Sequence, residues 1–319
     1  MVSRKSEALS VVVPVFNEEA NLPELRKRLK AVVEDLGFGK AEVLFVSDGS
    51  TDNSEGIIAE YVRGDGLFGA IFLTRNFGHQ AAVSVGIATA AGDIVCVIDG
   101  DLQDPPEAIP QLLEAIDRGA DVAYAIRTRR KESFFKRFAY AAFYRLLGRV
   151  SNIEIPLDTG DFCCMRRCVV DAMLKLPERN RFVRGLRAWV GFRQVGVPYE
   201  RAARFAGLPK YTLWSLAKLA YDGLFSFTEL PVKIMQFLGF AVSGAAMMVA
   251  IGYAAWRYLS PGVFPSGFAT LTISLWFIGG VQLLFLGVLG EYVVRTFDEV
   301  RRRPVALVRE IMRHDNHAG

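Results

Sequence analysis

Residues 92–107 read GDIVCVIDGDLQDPPE. Ile94-Val95-Cys96-Val97-Ile98 is a short unbroken apolar run bounded by turn residues, the pattern of a strand buried on both faces. It runs into Asp99-Gly100-Asp101. Two carboxylates thus stand at the carboxyl end of a central strand, where open α/β sheets bind ligands. Gly100 lets the backbone approach a ligand closely. Crowded carboxylates repel at neutral pH unless a cation joins them. Hard oxygen ligands suit Mg²⁺ or Mn²⁺, which keep water and take substrate phosphates as further ligands. Asp99 and Asp101 are therefore candidate ligands of a divalent metal bridging the strand end to a diphosphate, although Asp-x-Asp after a strand is also a common turn. Gln103 faces either that metal or solvent. Asp104 reads more simply as a helix N-cap, with Pro105 at N1 and Glu107 completing a capping box.

The flanking sequence repeats the theme. Leu9 to Phe16 is a Val-rich strand, and Asn17, Glu18 and Glu19 follow it. Leu22, Leu25, Leu29, Val32, Val33 and Leu36 keep helical spacing. Val43 to Val46 is a second strand, ending at Ser47-Asp48-Gly49-Ser50, and Asp52 with Glu55 caps the next helix. Ala70 to Leu73 is a third strand, a small-residue helix spans Ala81 to Ala91, and Val122 to Ile126 is a fifth strand. Strands alternating with helices imply a mostly parallel sheet with helices on both faces, and parallel strands end on one side of it. Asn17/Glu18, Asp48 and Asp99/Asp101 then line one crevice. Asp48 suits hydrogen bonding to a nucleotide base or ribose. No glycine-rich dinucleotide or P-loop motif is present.

VVVPVFNEEANLPEL, VSDGSTDNS, RNFGHQAAV and IDGDLQDPPE, in this order and spacing, resemble a family 2 glycosyltransferase of the GT-A fold. The resemblance covers nearly the whole chain and is strongest to the branch that transfers sugars to polyprenyl phosphates, as dolichyl-phosphate mannose synthase does. It implies that Pro14, Phe16, Glu18 and Asp48 hold the nucleoside, and that Asp99, Asp101 and Gln103 hold Mg²⁺ or Mn²⁺ on the donor diphosphate. The family's second strand usually ends Asp-Asp-Gly-Ser; here it ends Ser47-Asp48-Gly49-Ser50, so only Asp48 is carried over. Asp158, in Asp158-Thr159-Gly160-Asp161-Phe162, matches the position of the catalytic carboxylate. Arg204 and Lys210 match a late element that reaches the phosphates, with Leu208-Pro209 where a Ser or Thr commonly precedes the Lys.

Arg127-Thr128-Arg129-Arg130-Lys131 is either a solvated loop or a receiver for an anionic lipid headgroup, and arginine forks clamp phosphate well. Phe134 to Leu147 mixes aromatics with Lys136, Arg137 and Arg145, as a lipid-touching helix does. Beyond Tyr211 an amphipathic helix suits the membrane interface. Ile234 to Trp256 and Gly267 to Gly290 lack charged residues and are long enough to span a bilayer. Arg295, Arg301, Arg302 and Arg303 follow the second stretch, so the positive-inside rule places both termini in the cytoplasm. The expected division is an α/β GT-A (Rossmann-like) cytoplasmic domain over 1–210, a juxtamembrane helix over 211–231, a two-helix transmembrane hairpin over 232–295 and a basic cytoplasmic tail over 296–319.

Composition narrows the alternatives. With 319 residues the chain suits one large domain plus an appendage, and a formal charge of +4 does not call for nucleic acid. The four cysteines lack zinc spacing, so free thiols are expected. The short polar stretch before the first strand has no signal-peptide core. Of three histidines, His314 and His317 fall in a polar tail expected to be disordered. Only His79 remains in the body, which excludes a multi-His metal site. The expected reaction is inverting transfer of one sugar from a UDP- or GDP-linked donor to a polyprenyl phosphate, with Asp158 orienting the acceptor and Asp101 and Arg127 serving the chemistry. A processive polysaccharide synthase would carry Gln-x-x-Arg-Trp; the nearest stretch, Arg187-Ala188-Trp189, lacks the Gln. A non-catalytic subunit of a lipid-sugar flippase would have a degenerate site. A homo-oligomer stays open.

Overall fold

The computed structural model describes residues 5–127, 159–178, 181–199, 230–259 and 267–314. These residues fall into two compact units. The first holds 5–127, 159–178, 181–199 and 303–314; the second holds 230–259 and 267–302.

The first unit is an α/β layer structure. Its strands are β1 (Ala8–Val15), β2 (Lys40–Ser47), β3 (Phe68–Leu73), β4 (Ile94–Val97), β5 (Val122–Arg127), β6 (Thr159–Arg166), β7 (Gln194–Tyr199) and β8 (Val308–Arg313). Its helices are α1 (Leu22–Asp35), α2 (Ser54–Gly64), α3 (His79–Thr89), α4 (Ile109–Asp117), α5 (Arg167–Leu174) and α6 (Val183–Trp189). The strands form one sheet in the order β7-β5-β6-β4-β1-β2-β3-β8. β1 pairs parallel with β2 and β4, β2 with β3, and β5 with β7, whereas β6 and β8 run antiparallel to their neighbours. The mostly parallel α/β architecture implied by the motifs is thus present. Alternate residues of β1 feed opposite faces of the sheet, as a pleated strand requires: Val11, Val13 and Val15 pack with α1, α2 and α4, and Val12 packs with α3, α5 and α6. The small residues of α3 let it sit close. A Cβ on Gly86 would lie 2.2 Å from Val12 Cγ1.

Several local expectations are corrected. β6 and β7 are strands beyond those expected from the sequence. Asp104 is not an N-cap: it is fully buried and accepts a hydrogen bond from Tyr199 Oη. A short 3-10 turn, Pro106–Ala108, precedes α4 and has no side-chain cap. Glu107 instead takes a two-point bond from Arg28, at 2.8 and 2.5 Å. Gly100 packs closely against β1, where an added Cβ would stand 3.0 Å from Pro14 O. Cys96 and Cys164, expected as free thiols, lie opposite one another in the β4–β6 register and are joined as a disulfide.

Within 296–319, expected as a tail, residues 296–313 supply the end of the last helix and β8, which closes the open edge of β3. His314 is ordered, with Nδ1 at 3.0 Å from the Val62 carbonyl oxygen.

The second unit consists of α7 (Leu230–Leu259) and α8 (Phe268–Val300), helices of 30 and 33 residues that touch one another. Large apolar side chains stand exposed along both, among them Phe240 at 80% and Leu283 at 71%. Among the described residues one segment, Phe277–Val300, is long and apolar enough to cross a membrane by length and composition, with a mean hydropathy of 1.8. The basic run beyond Arg127, the aromatic stretch from Phe134 to Leu147 and the juxtamembrane helix up to residue 229 lie outside the described residues.

Candidate active site

The site begins where β4 stops. Ile98 continues the strand direction, its N–H bonded to Val12 O at 3.0 Å, and Asp99 follows. The Asp99 side chain keeps about a quarter of its surface, but Oδ1 is closed off and accepts no hydrogen bond. Loss of solvent pushes its carboxyl up to about 7; the nearby carboxylates of Asp104, Asp161 and Asp101 add to this, against the pull of His79. Asp101 turns back to accept the Gln103 N–H at 3.1 Å. Between them Leu102 is buried at φ 59°, a left-handed conformation that a non-glycine residue holds only where its surroundings impose it.

This geometry fits a divalent cation. An enclosed carboxylate oxygen that accepts no hydrogen bond, with Asp101, Asp104 and Asp161 nearby and the His79 ring 3.5 Å away, is a place where a hard cation would be held. Among the described residues no three His, Cys, Asp or Glu side chains are grouped as a complete protein cage. Mg²⁺ and Mn²⁺ take one or two carboxylates and fill the remaining positions with water and substrate phosphate.

A second cluster abuts the first, and sequence reading missed it. β6 runs antiparallel, so its amino-terminal end, not its carboxyl end, arrives at the crevice. Asp161, the second aspartate of the Asp158–Phe162 stretch, is thereby placed beside Asp99. His79 Nε2, from the first turn of α3, lies 3.1 Å from Asp161 Oδ2 and 3.5 Å from Asp99 Oδ1. Gln80 Nε2 donates to the same Asp161 oxygen at 2.8 Å, while its own Oε1 accepts Val183 N–H at 2.8 Å. Arg184 Nε approaches Asp161 Oδ1 at 3.2 Å. Burial resists the charge on Asp161, but the His79 hydrogen bond and the Arg184 and His79 charges outweigh it, holding the carboxyl below the usual range. Burial likewise opposes an imidazolium at His79; the bond to Asp161 and the fields of Asp99 and Asp161 win, pushing it up to about 9. His79 is thus a cation wedged between two carboxylates. The sequence signal that could have found it is its position just after Gly78, at the start of the helix leading into β4.

The nucleoside candidates sit at the ends of β1 and β2. Asp48 is buried, and both its oxygens accept backbone N–H groups of the β3–α3 turn, from Phe77 at 2.7 Å and Gly78 at 2.9 Å. Burial raises its carboxyl and these two bonds partly offset that. A carboxylate oxygen has a second lone pair, so each can still face a ligand. Pro14 is buried within β1, Phe16 is 36% exposed, and Glu18 Oε2 accepts from Asn21 Nδ2 at 2.5 Å. Asn17, between Phe16 and Glu18, has φ 54° and is fixed to the next loop by its Oδ1, which accepts Thr51 N–H at 2.8 Å. The structure therefore brings Asp48, Asp99, Asp101 and the Phe16–Glu18 turn to the same end of the sheet. Arg127 ends β5, and its side chain lies outside the described residues, as do Asp158, Arg204 and Lys210.

Comparison with known proteins gives consistent results. A model of glycosyl transferase family 2 matches residues 10–174. An uncharacterized glycosyltransferase of Synechocystis is 42% identical over 95% of both chains. A prophage bactoprenol glucosyl transferase homolog of Escherichia coli is 39% identical, covering 95% of this chain and 99% of its own. The bactoprenol glucosyl transferase of Shigella phage SfII is also 39% identical, over 95% and 97%. Among solved structures, glucosyl-3-phosphoglycerate synthase of Mycobacterium tuberculosis aligns with 70% of this chain and 80% of its own, at 21% identity and a TM-score of 0.47.

Proposed function

The chain belongs to glycosyl transferase family 2 and is a glycosyltransferase, and on that footing we propose that it moves a single sugar from a nucleotide-sugar to a polyprenyl phosphate at the cytoplasmic face of a membrane, with inversion at the anomeric carbon. The observation that carries this reading is the enclosed Asp99 oxygen that accepts no hydrogen bond, beside Asp101 at the end of β4. The relatives named for bactoprenol supply the acceptor class.

In this reading Asp99, Asp101 and Gln103 hold Mg²⁺ or Mn²⁺ against the donor diphosphate. Bound there, the metal supplies Lewis-acid stabilisation of the charge that grows on the leaving group. Phe16, Glu18 and Asp48 hold the nucleoside, with Pro14 shaping the strand end beneath it. An oxygen of the lipid phosphate attacks the anomeric carbon as the bond to the diphosphate breaks, and nucleoside diphosphate departs. A phosphate monoester has its second pKa near about 6 and is largely dianionic at neutral pH, so it needs little help from a base. Asp158 accordingly orients the acceptor rather than deprotonating it. Arg127, Arg204 and Lys210 offset the repulsion between the two phosphate groups. His79 holds the Asp99 and Asp161 carboxylates at fixed positions before substrate arrives.

The acceptor's tail stays in the bilayer, so the site must work at the headgroup plane. We assign α7 and α8 to a two-span hairpin preceded by an interfacial helix. β8 supports that count. It follows α8 in the chain yet pairs with β3, whose sequence precedes α7. A chain that leaves and rejoins one sheet crosses a membrane an even number of times between the two points.

The test is nucleoside diphosphate release by the full-length protein in detergent-lipid micelles, with UDP-glucose first and then a panel of UDP- and GDP-sugars, with and without undecaprenyl phosphate and Mg²⁺ or Mn²⁺. One sugar per lipid is expected. A ladder of longer products would instead mean a processive synthase, and silence across the panel would end the enzymatic reading of this site. Asp158→Asn is expected to lower kcat about 10-fold or more with donor affinity kept, the signature of an acceptor-side group; an equal loss of donor affinity refutes that role.

A further inference from the structure

β8 enters the sheet at the ligand end, where Val308 pairs with Leu73. The next residue, Arg309, points back over the sheet. Its guanidinium carbon lies 5.6 Å from the centroid of Phe72, and Nη2 lies 2.6 Å from Glu55 Oε2. The other oxygen of Glu55 accepts from Ser47 Oγ at 2.9 Å. Ser47 is fully buried at the end of β2, and its Oγ lies 3.2 Å from Ser50 Oγ. Ser50 Oγ in turn accepts the N–H of Asn17 at 3.2 Å. Polar contacts therefore run unbroken from the last strand of the chain to the strained bend between Phe16 and Glu18.

Each link has a physical reason. A buried hydroxyl needs an acceptor, and Glu55 supplies it. A carboxylate drawn toward the interior needs a cation, and Arg309 supplies it. A left-handed Asn17 persists only where neighbouring groups fix it, and the loop over residues 47–54 does so. Ser47 stands where the resemblance leads one to expect an aspartate, so in this chain the carboxylate at that place comes from α2 and its counter-charge from β8.

We propose that Arg309 is a positioning residue for the sugar-nucleotide donor, and that β8 completes the donor site by fixing Glu55, Ser47, Ser50 and Asn17. This rests on the reading of the Phe16–Glu18 turn and Asp48 as the nucleoside site. The donor loop takes its final shape only after the chain has passed through α7 and α8 and returned.

The experiment measures donor KM, lipid KM, kcat and melting temperature for full-length Arg309→Met, Arg309→Lys and Phe16→Ala, using UDP-glucose or the sugar-nucleotide selected by the donor panel. Arg309→Met keeps a long apolar stem over Phe72 and removes only the charge. It is expected to raise donor KM about two- to fivefold, the range for a half-exposed charge pair, leaving kcat and lipid KM within about twofold. Arg309→Lys is expected to restore most of the loss. An unchanged donor KM in Arg309→Met, or equal losses in the Met and Lys variants that follow their melting temperatures, overturns the proposal. If Phe16→Ala raises donor KM and Arg309→Met does not, only Arg309's role falls; if neither moves it, the donor-site reading falls as well.

Discussion

Phe45 and Phe68, in the sheet, are 0% and 2% exposed, whereas Phe240 and Phe237, in α7, are 80% and 73% exposed. One residue type meets opposite surroundings in two parts of one chain. In the sheet unit each phenylalanine fills a core; fully burying such a side chain is worth about 1.5–3 kcal/mol. In the helix pair the same gain is forgone at position after position, an arrangement that water penalises and hydrocarbon does not. Charge divides the other way. Asp48, Asp99, Asp101, Asp161 and His79 crowd one end of the sheet, and Phe268 to Gly290 carries no charged residue. Chemistry and solvent are thus handled by separate stretches of sequence.

That contrast can be broken in graded ways. The largest effect is expected at the charged end. Asp101→Ala should lower lipid-dependent nucleoside diphosphate release by about 100-fold or more, with the protein still recovered in the membrane fraction. Retained turnover would move the chemistry away from β4. Next is the greasy face. Leu283 is 71% exposed, and on the proposed assignment of α8 to a span Leu283→Lys would place a charge among lipid tails at a cost of about 3 kcal/mol. Membrane retention should fall while the melting of the sheet unit is unchanged; full retention would mean that this face does not meet lipid.

Packing gives a smaller and more symmetrical test. A Cβ on Gly86 meets Val12 at 2.2 Å, whereas one on Gly279 of α8 has nothing within 4 Å. Gly86→Val should cost about 1–3 kcal/mol in thermal or denaturant unfolding, and Gly279→Val should cost nothing measurable in the sheet unit. Equal losses would erase the distinction between a close-packed core and an open face. Smallest of all is Arg28→Ala. It removes a bond to Glu107 made by side chains 26% and 53% exposed, so less than about 1 kcal/mol of unfolding free energy is expected.

The structure also changes how the two parts should be separated. Cutting the chain after Leu230 removes β8 along with both helices and uncovers the edge of β3. On the proposed role of β8, such a fragment would lose donor affinity for a reason unrelated to lipid. A fair division keeps residues 303–314 attached to the sheet.

Where local pattern and final environment agree, the sequence is a sufficient guide. β1 to β5 are apolar runs stopped by polar residues, Asn17, Asp48, Thr74, Asp99 and Arg127, and α1 keeps an apolar stripe, so their places follow from periodicity. β6 escaped because Asp161-Phe162-Cys163-Cys164 carries no mark telling a strand from a loop, and its partners, β4 and β5, are distant in sequence. β8 escaped because half of VREIMR is charged. An edge strand with one free side tolerates that composition, and nothing local distinguishes it from a tail. The same blindness applies to roles. Asp104 and Glu107 fit a capping box by spacing, yet Tyr199 and Arg28 claim them from elsewhere in the fold.

The sequence alone therefore determined the family, the order of β1 to β5, the acidic pair at Asp99 and Asp101 and the long uncharged stretches, because each is written in contiguous residues. Only the tertiary structure decided that Asp161 faces Asp99 through His79, and that Arg309 reaches the loop after β2 through Glu55. Those pairs are separated by up to 254 positions, and their meeting depends on strand direction: an antiparallel strand delivers its beginning, where a parallel one delivers its end, to the side of the sheet that binds.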